Sequence, residues 1–242
     1  MSFKFSLKKI DRFLDRQTPL LLIFVLIILL RLPNFFEPYW YGDEAIYLTL
    51  GNALRHGEQL YTTIIDHKTP LIYCFAMVAN QFTFRLLNLF WALLTTACFF
   101  NFATKLFKKK SLATLATLIL AILSSLPWLE GNIPNGELFV MGFIMAGAVL
   151  FSRTTVFANF FKSEISFQKS QKDTILLVLS GVLMGLGILT KVPAILDVAA
   201  FLSIFWLILV STFFDVKSDL HKFNKTFVYL LNRGGYFVLG LL

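Results

Sequence analysis

Two short polar segments near the beginning of the chain carry the residue types that could do chemistry. Adjacent carboxylates occur at Asp43 and Glu44, after the first long apolar stretch, and a cation, Lys68, follows two residues after Asp66 and precedes Pro70. A carboxylate can act as a general base, and a lysine can stabilise a departing anion. We therefore expect a site at a membrane surface that acts on a polar group attached to an apolar carrier.

The composition of the 242 residues is that of a polytopic membrane protein. The chain is 57% hydrophobic and 15% charged, with a mean hydropathy of +0.73, whereas about 25% of the residues in an ordinary soluble domain are charged. No small-residue cleavage site follows the apolar stretch at 19–32, so we interpret it as an uncleaved span. Cys74 and Cys98 have neither a zinc spacing nor a disulfide framework.

The net charge of +8 is distributed in a pattern that indicates topology. Of the 22 Lys and Arg residues, 17 lie in four segments: five at 1–17, and four each at 105–110, 153–173 and 215–233. The polar segments between them are acidic or carry few bases. This alternation follows the positive-inside rule and places the N-terminus in the cytoplasm and the Asp43 loop outside. The basic excess is thus topological, and we do not expect nucleic-acid binding.

Length and hydropathy predict six membrane spans and the beginning of a seventh, since a helix needs about 20 apolar residues to cross a bilayer. The predicted spans are 18–32, 83–106, 111–126, 137–153, 174–190 and 192–211, and another begins at 234–242 after a basic loop at 215–233. The predicted fold is all-α, a polytopic transmembrane helical bundle that forms a single membrane domain over 1–242. Because nine residues cannot span a bilayer as a helix, we expect either an N-terminal part of a longer protein, which we favour, or a tail that pairs with another chain.

The first outer loop is expected to contain amphipathic juxtamembrane helices. Residues 43–56 predict a helix that lies along the membrane surface, with its leucines available for burial. The segment 69–106 is too long for one span, so we predict a second juxtamembrane helix at 69–81 and a crossing that begins near Phe82. Arg85 then lies in the outer turns of that span, where it can reach the interface or the site.

Each candidate residue also has a purely structural interpretation. Asp43 and Glu44 could complement a helix dipole at a first turn, and Glu137 could do the same where it opens a span. Lys68 could snorkel beside a re-entering helix. Lys191, between two spans, is costly in a bilayer, so it is either functional or part of an internal ion pair.

Four motifs in order along the chain resemble those of the GT-C class of polytopic glycosyltransferases. The resemblance is closest to the branch with the protein O-mannosyltransferases and the bacterial aminoarabinose transferase of lipid A. The motifs are 42–47 (Gly-Asp-Glu-Ala-Ile-Tyr), 67–71 (His-Lys-Thr-Pro-Leu), 135–139 (Asn-Gly-Glu-Leu-Phe) and 185–191 (Gly-Leu-Gly-Ile-Leu-Thr-Lys). The chain departs from the family where Thr69 replaces a proline and where Glu137 replaces the aspartate of some members. The family typically adds more spans and an outer C-terminal part, which we expect to follow residue 242.

The resemblance implies a membrane glycosyltransferase that moves a hexosyl or pentosyl group from a polyprenyl-phosphate donor to an acceptor hydroxyl. A phosphate leaving group departs as an anion and needs a cation, while the acceptor needs a general base, and one base opposite the phosphate predicts inversion. The implied roles are catalysis by Asp43 and Glu44, orientation of acceptor or sugar by Glu137 and Tyr47, and lipid-phosphate binding by Lys68, Arg85 and Lys191.

No cofactor is firmly implied, and the expected partners are the lipid-linked donor and the membrane lipids. The Asp43–Glu44 pair could hold a divalent metal, but adjacent side chains on a helix diverge. The expected location is the plasma membrane, multi-pass, with the site on the outer face. Two alternatives remain open: an inactive fragment or scaffold, and a transporter or flippase of lipid-linked intermediates. A transporter should show broken helices near the midplane.

Overall fold

The computed structural model describes residues 18–39, 41–162, 164–168, 170–215 and 220–242. The described residues are 77% helical and contain no strand, so the predicted all-α fold class is confirmed. The basic N-terminal segment 1–17 lies outside the described residues. The helices are α1 (Thr18–Phe36), α2 (Gly42–Arg55), α3 (Leu71–Phe75), α4 (Gln81–Phe107), α5 (Lys110–Leu123), α6 (Gly136–Phe151), α7 (Thr155–Phe160), α8 (Gln171–Thr190), α9 (Ile195–Asp215) and α10 (Leu220–Leu241).

Four helices of the described part are long and apolar enough to cross a membrane: α1, α4, α8 and the run Val192–Phe214, which includes all of α9 except its last residue. The helices α5 and α6 have 14 and 16 residues and are shorter than the predicted spans at 111–126 and 137–153. The end of α5 has a local cause, because Pro127 restricts the residue before it and opens a short 3₁₀ turn, Pro127–Leu129.

The largest difference from prediction lies at 215–233, where we expected a basic loop. The structure has one continuous helix over Leu220–Leu241 instead. Its buried residues recur at helical spacing and form a single stripe: Thr226, Tyr229, Leu230, Arg233 and Phe237. The lysines of the segment obscured this periodicity; within α10, Lys225 is exposed and Lys222 is half-buried, as expected for the polar side of an amphipathic helix.

The predicted juxtamembrane helix at 69–81 is present only in part, as the short helix α3. A capping box ends the intervening segment and starts α4: Thr83 N donates to Asn80 Oδ1, and Asn80 N donates to Thr83 Oγ1, both over 3.0 Å. The amphipathic helix expected at 43–56 is present as α2 and is followed by a turn at Gly57 with φ of 90°.

The bundle is built around α8, which packs between α6 and α10, while α4 packs against α5 and α6. Glycines permit the closest contact: a Cβ at Gly181 would overlap the Phe237 carbonyl, and one at Gly240 would overlap the Val178 carbonyl. The backbones of α8 and α10 therefore touch, as expected for small residues between membrane helices. Aromatic rings fill the remaining core, with Phe151 and Phe237 at a centroid separation of 5.8 Å.

The end of α1 is fastened to the segment that enters α6. Arg31 donates to the Ser124 carbonyl over 2.5 Å, which supplies a cation to the C-terminal end of α5. Asn34 Nδ2 donates to the Asn132 carbonyl over 2.7 Å. These contacts hold the segment between α5 and α6 beside the first loop, so the first turns of α2 and α6 meet at one end of the bundle.

Candidate active site

The first cluster at this end of the bundle joins α2 to the loop that precedes α3. Asp43 lies in the first turn of α2, and its Oδ2 is 2.7 Å from Lys68 Nζ. The same oxygen accepts a hydrogen bond of 3.0 Å from the Tyr47 hydroxyl, since residues four apart share a helix face. Lys68 Nζ also lies 4.6 Å from the centre of the Tyr47 ring. The structure thus brings together Asp43, Tyr47 and Lys68.

Burial divides the roles within this cluster. Tyr47 is fully buried, whereas the side chains of Asp43 and Lys68 remain 23% and 12% exposed. Burial, the Asp43 charge and the hydrogen bond to Asp43 together raise the pKa of Tyr47 well above its ordinary value. The Tyr47 hydroxyl consequently stays protonated and acts as a donor to the carboxylate, while the charged groups remain within reach of a ligand.

A second carboxylate–lysine pair lies beside the first. Lys191, directly after α8, donates from Nζ to Glu137 Oε1 in the first turn of α6. A Cβ at Gly136 would lie 3.3 Å from Lys191 Cδ and 3.6 Å from the Tyr47 hydroxyl, so the two pairs are immediate neighbours. Four of the predicted site residues, Asp43, Lys68, Glu137 and Lys191, form one patch of alternating charge with Tyr47 between them.

Glu44 and Arg85 lie apart from this patch, in a buried ion pair with each other. Arg85 Nε and Nη2 each donate over 2.7 Å to the two oxygens of Glu44, a bidentate arrangement. The side chains are 0% and 1% exposed. Arg85 also donates to the backbone carbonyls of Glu37 and Asn34. Consecutive helix positions differ by about 100°, so Glu44 points into the bundle while Asp43 points out.

A third carboxylate of the site, Glu130, was not singled out from the sequence. It accepts a hydrogen bond from the Tyr41 hydroxyl and another of 3.0 Å from Asn135 Nδ2. Burial and this hydrogen bond raise the pKa of Tyr41 to about 12. Glu130 has a left-handed backbone conformation with φ of 54°. This conformation is uncommon for residues other than glycine and occurs more often at functional sites. No motif or spacing in the sequence predicts the contact between Tyr41 and Glu130, because the two residues are far apart in the chain.

A cleft of about 320 Å³ opens next to these carboxylates, between the end of α5 and the first turns of α6. Glu130, Asn135 and Glu137 form its polar rim. Its walls are mainly apolar: Leu120, Leu123, Leu129, Leu138 and Met141. A polar rim above apolar walls suits a ligand that combines a polar group with an apolar body.

The loop that carries Lys68 is held by a separate acidic anchor. Asp66 accepts hydrogen bonds of 2.6 Å from the Tyr73 hydroxyl and 2.7 Å from the His67 backbone N–H. Burial alone would raise the pKa of Asp66, but these bonds and the charges of His67 and Lys68 lower it below its ordinary value. Tyr61 adds a hydrogen bond of 2.6 Å to the Lys68 carbonyl. Lys68 therefore projects from a fixed backbone toward Asp43.

The carboxylates at this end of the bundle do not converge into a metal-like cluster. Across the described ranges, no group of three or more His, Cys, Asp or Glu side chains is arranged to hold a metal ion.

The fold and this patch define a helical membrane protein with paired carboxylates and lysines at one end. A family model described as dolichyl-phosphate-mannose-protein mannosyltransferase matches residues 72–239, more than half of the 242 residues. The chain belongs to this family, which confirms the resemblance inferred from its motifs, and it is a membrane glycosyltransferase of the mannosyltransferase type. Comparisons with curated proteins and with solved structures give no match.

Proposed function

We propose that this protein transfers a sugar from a polyprenyl-phosphate donor to an acceptor hydroxyl, with Asp43 as the general base. One observation carries the proposal: Asp43, Lys68, Glu137 and Lys191 come from four separate segments and meet in one partly exposed patch. The family description names a phosphate-linked mannose donor, which supports a lipid-linked sugar as the substrate class.

The ion pairs explain how donor binding could release the base. In the resting site, Lys68 neutralises Asp43. A donor phosphate carries negative charge and competes for the same ammonium group, because charge-assisted contacts to phosphate are strong. When Lys68 turns to the phosphate, Asp43 keeps the hydrogen bond from Tyr47 and has a lone pair free for the proton of the acceptor. Attack opposite the departing phosphate would then invert the anomeric carbon.

Glu137 and Lys191 provide the second half of the proposed site. Lys191 can assist in binding the phosphate, and Glu137, which is 56% exposed at the rim of the cleft, can accept hydrogen bonds from the hydroxyls of the sugar or acceptor. Glu130 lies on the same rim. The apolar walls of the cleft then contact the less polar part of whichever substrate enters.

For Glu44 and Arg85 we propose a positioning role in place of direct contact with substrate. Neither side chain has exposed surface, and each occupies the charged groups of the other. Arg85 joins the end of α1 to α4 and, through Glu44, to α2. The pair thereby fixes the helix that presents Asp43.

The proposal places this end of the bundle on the outer face of the plasma membrane. The described loops and helix ends at the opposite end carry Lys108, Lys109, Lys110, Arg153, Lys162 and Lys172, and the positive-inside rule assigns that end to the cytoplasm. Cysteines introduced singly at Glu58 and Lys109 test the orientation in a background in which Cys74, which is free and exposed, and Cys98 are replaced by Ser. An impermeant thiol reagent applied to intact cells should label position 58 and not position 109. The reverse labelling would contradict the placement.

Transfer is tested in membranes that contain the full-length protein, supplied with labelled polyprenyl-phosphate mannose, and the product is identified by chromatography. Asp43→Asn keeps the shape of the side chain but removes the proton acceptor, so transfer should fall by about 10² to 10⁴. Glu58→Gln, a change at an exposed carboxylate of the same loop, is the matched control and should leave transfer unchanged. If Asp43→Asn retains activity within a few-fold of wild type, Asp43 is not the base.

A further inference from the structure

A second polar region lies at the other end of the bundle, one helix length from Asp43. The helix α8 has 20 residues, which corresponds to about 30 Å, the thickness of the hydrocarbon core. Lys191 follows its C-terminal end, whereas Asp173 lies in its first turn. The residues around Asp173 therefore face the membrane surface opposite the site described above.

A pocket of about 560 Å³ opens at this surface, between the segment that precedes α8 and one face of α10. Its polar lining is drawn from successive turns of α10, and two aromatic rings close it from the side and from below. The lining residues are His221, Asn224, Lys225, Asn232, Phe167 and Tyr229. An ammonium group, an imidazole and two amides can all donate hydrogen bonds into one space.

The floor and wall of the pocket are held in place by buried contacts. The Tyr229 and Thr155 hydroxyl oxygens are 2.7 Å apart, and the Phe167 ring packs edge-on against Tyr229 at 5.6 Å. Arg233 donates to Thr174 Oγ1 over 2.7 Å and to the Gln168 carbonyl over 3.3 Å. The segment before α8 is thus fixed to α10, and the pocket is preorganised for a ligand.

The charge in the pocket lacks an acidic partner within the described part of the chain. Lys225 Nζ lies 4.6 Å from the centre of the Phe167 ring, and no described carboxylate is within ion-pair distance of it. Asp173, the carboxylate of the neighbouring network, accepts hydrogen bonds of 2.7 and 2.9 Å from Thr155. An anion entering the pocket would therefore meet a cation that has no ion pair with any described carboxylate.

A separate apolar groove of about 440 Å³ lies between α9 and a neighbouring face of α10. Val228 of the pocket and Leu231 of the groove are three residues apart on the helix surface and are both largely exposed. A Cβ added at Gly235, one helical turn further along α10, would have no atom within 4 Å, so the groove is open there. Trp206 of α9 forms the opposite side.

We propose that the pocket binds the phosphate headgroup of an anionic phospholipid and that the groove receives one of its acyl chains. Lys225 and the amides of α10 supply the donors for the phosphate oxygens. The surrounding cationic surface attracts the anionic lipids that such basic pockets bind.

The test uses the full chain purified in detergent and titrated with phosphatidylglycerol or phosphatidylcholine, with binding followed by native mass spectrometry. Wild type should prefer phosphatidylglycerol, and Lys225→Gln should weaken phosphatidylglycerol binding by about fivefold. Lys172→Gln, at an exposed lysine on the same face that does not line the pocket, is the matched control and should bind as wild type does. An equal loss in both variants would overturn the proposal and indicate diffuse attraction to the surface.

Two further arms separate the lipid from a free phosphate. Inorganic phosphate should compete only weakly, and displacement of the lipid by micromolar phosphate would assign the pocket to a soluble anion instead. Gly235→Leu adds a side chain to the groove at a position where a Cβ would have no atom within 4 Å, so it should weaken binding of a long-chain phosphatidylglycerol several-fold and leave binding of the dihexanoyl form unaffected. An unchanged affinity for the long-chain lipid would remove the groove from the binding site.

Discussion

Asp43 and Glu44 are adjacent in the chain and each binds a cation at 2.7 Å, yet their surroundings differ completely. The Asp43–Lys68 pair is open to solvent on one side and shares an oxygen with Tyr47. The Glu44–Arg85 pair is sealed, bidentate and tied to backbone carbonyls. Exposure, more than charge, separates an ion pair that can exchange its partner for a ligand from one that holds helices together.

The physical cause is the cost of leaving a charge unpaired. Removing one member of a buried pair leaves an uncompensated charge in an apolar medium, which costs about 3–5 kcal/mol, whereas exposed pairs contribute about 0–1 kcal/mol. The Asp43–Lys68 pair, with side chains 23% and 12% exposed, lies between these limits, so a ligand can displace Lys68 from Asp43 at an intermediate cost. It cannot do the same to Arg85 without unfolding its surroundings.

The largest expected effect comes from testing the two carboxylates against each other. Glu44→Gln should destabilise the protein by about 3–5 kcal/mol, because Arg85 loses its counter-charge in a buried position. Asp43→Asn should abolish transfer while unfolding at nearly the wild-type temperature. Both variants are measured by thermal unfolding in detergent, followed as loss of the monodisperse peak. Equal destabilisation by the two substitutions would break the comparison.

The next effect concerns the cation of the exposed pair. Lys68→Ala should weaken binding of polyprenyl phosphate about 10- to 100-fold, since a contact to a charged group is lost, and Lys68→Arg should retain part of the affinity because the charge survives. Titration of the purified variants in detergent measures both.

Glu137→Ala serves as the matched control, because removal of a carboxylate does not remove attraction for a phosphate. Equal affinity of wild type and Lys68→Ala would leave Lys191 as the phosphate ligand of the exposed patch.

A smaller effect is expected from Tyr47→Phe, which deletes only the hydroxyl and keeps the ring beside Lys68. The hydrogen bond from a buried donor to a carboxylate contributes about 1.5–3 kcal/mol, so we expect roughly a tenfold or greater loss of transfer with unchanged expression. The rate is compared in the same membrane assay. Activity equal to wild type would show that the Tyr47–Asp43 hydrogen bond does not position the base.

The smallest effect is the pH dependence of the Lys68 loop. Because the pKa of Asp66 is lowered in the folded protein, its contribution is present above the ordinary value of 3.8 and is lost as the pH falls through the lower folded value. The protection factors of residues 61–70, which correct for the intrinsic pH dependence of amide exchange, should therefore be constant from pH 7 to about 4. Asp66→Asn should expose the loop at neutral pH, and an equal protection in both proteins would show that the anchor is not needed.

The sequence was sufficient for the fold class, for the family and for α2, because these depend on composition, short motifs and local periodicity. It was insufficient where charge and periodicity conflicted. Lysines within 215–233 predicted a loop, but the apolar stripe from Thr226 to Phe237 packs on α8 and forms a helix. At 69–81 a helix was predicted, but only the short helix α3 formed, because Asn80 caps the start of α4 and ends the segment between them.

Within the candidate site, the chain by itself determined which chemical groups are available: a carboxylate pair at the start of α2, a lysine before Pro70, an acid at the start of α6 and a lysine after α8. Only the tertiary structure decided how they combine. It directs Glu44 inward to Arg85 and Asp43 outward to Lys68, and it adds Glu130 through Tyr41. The helical repeat determines the direction of each side chain on its helix. Whether that side chain is buried depends on the neighbouring helices, and the contacts between helices join residues that are distant in the chain.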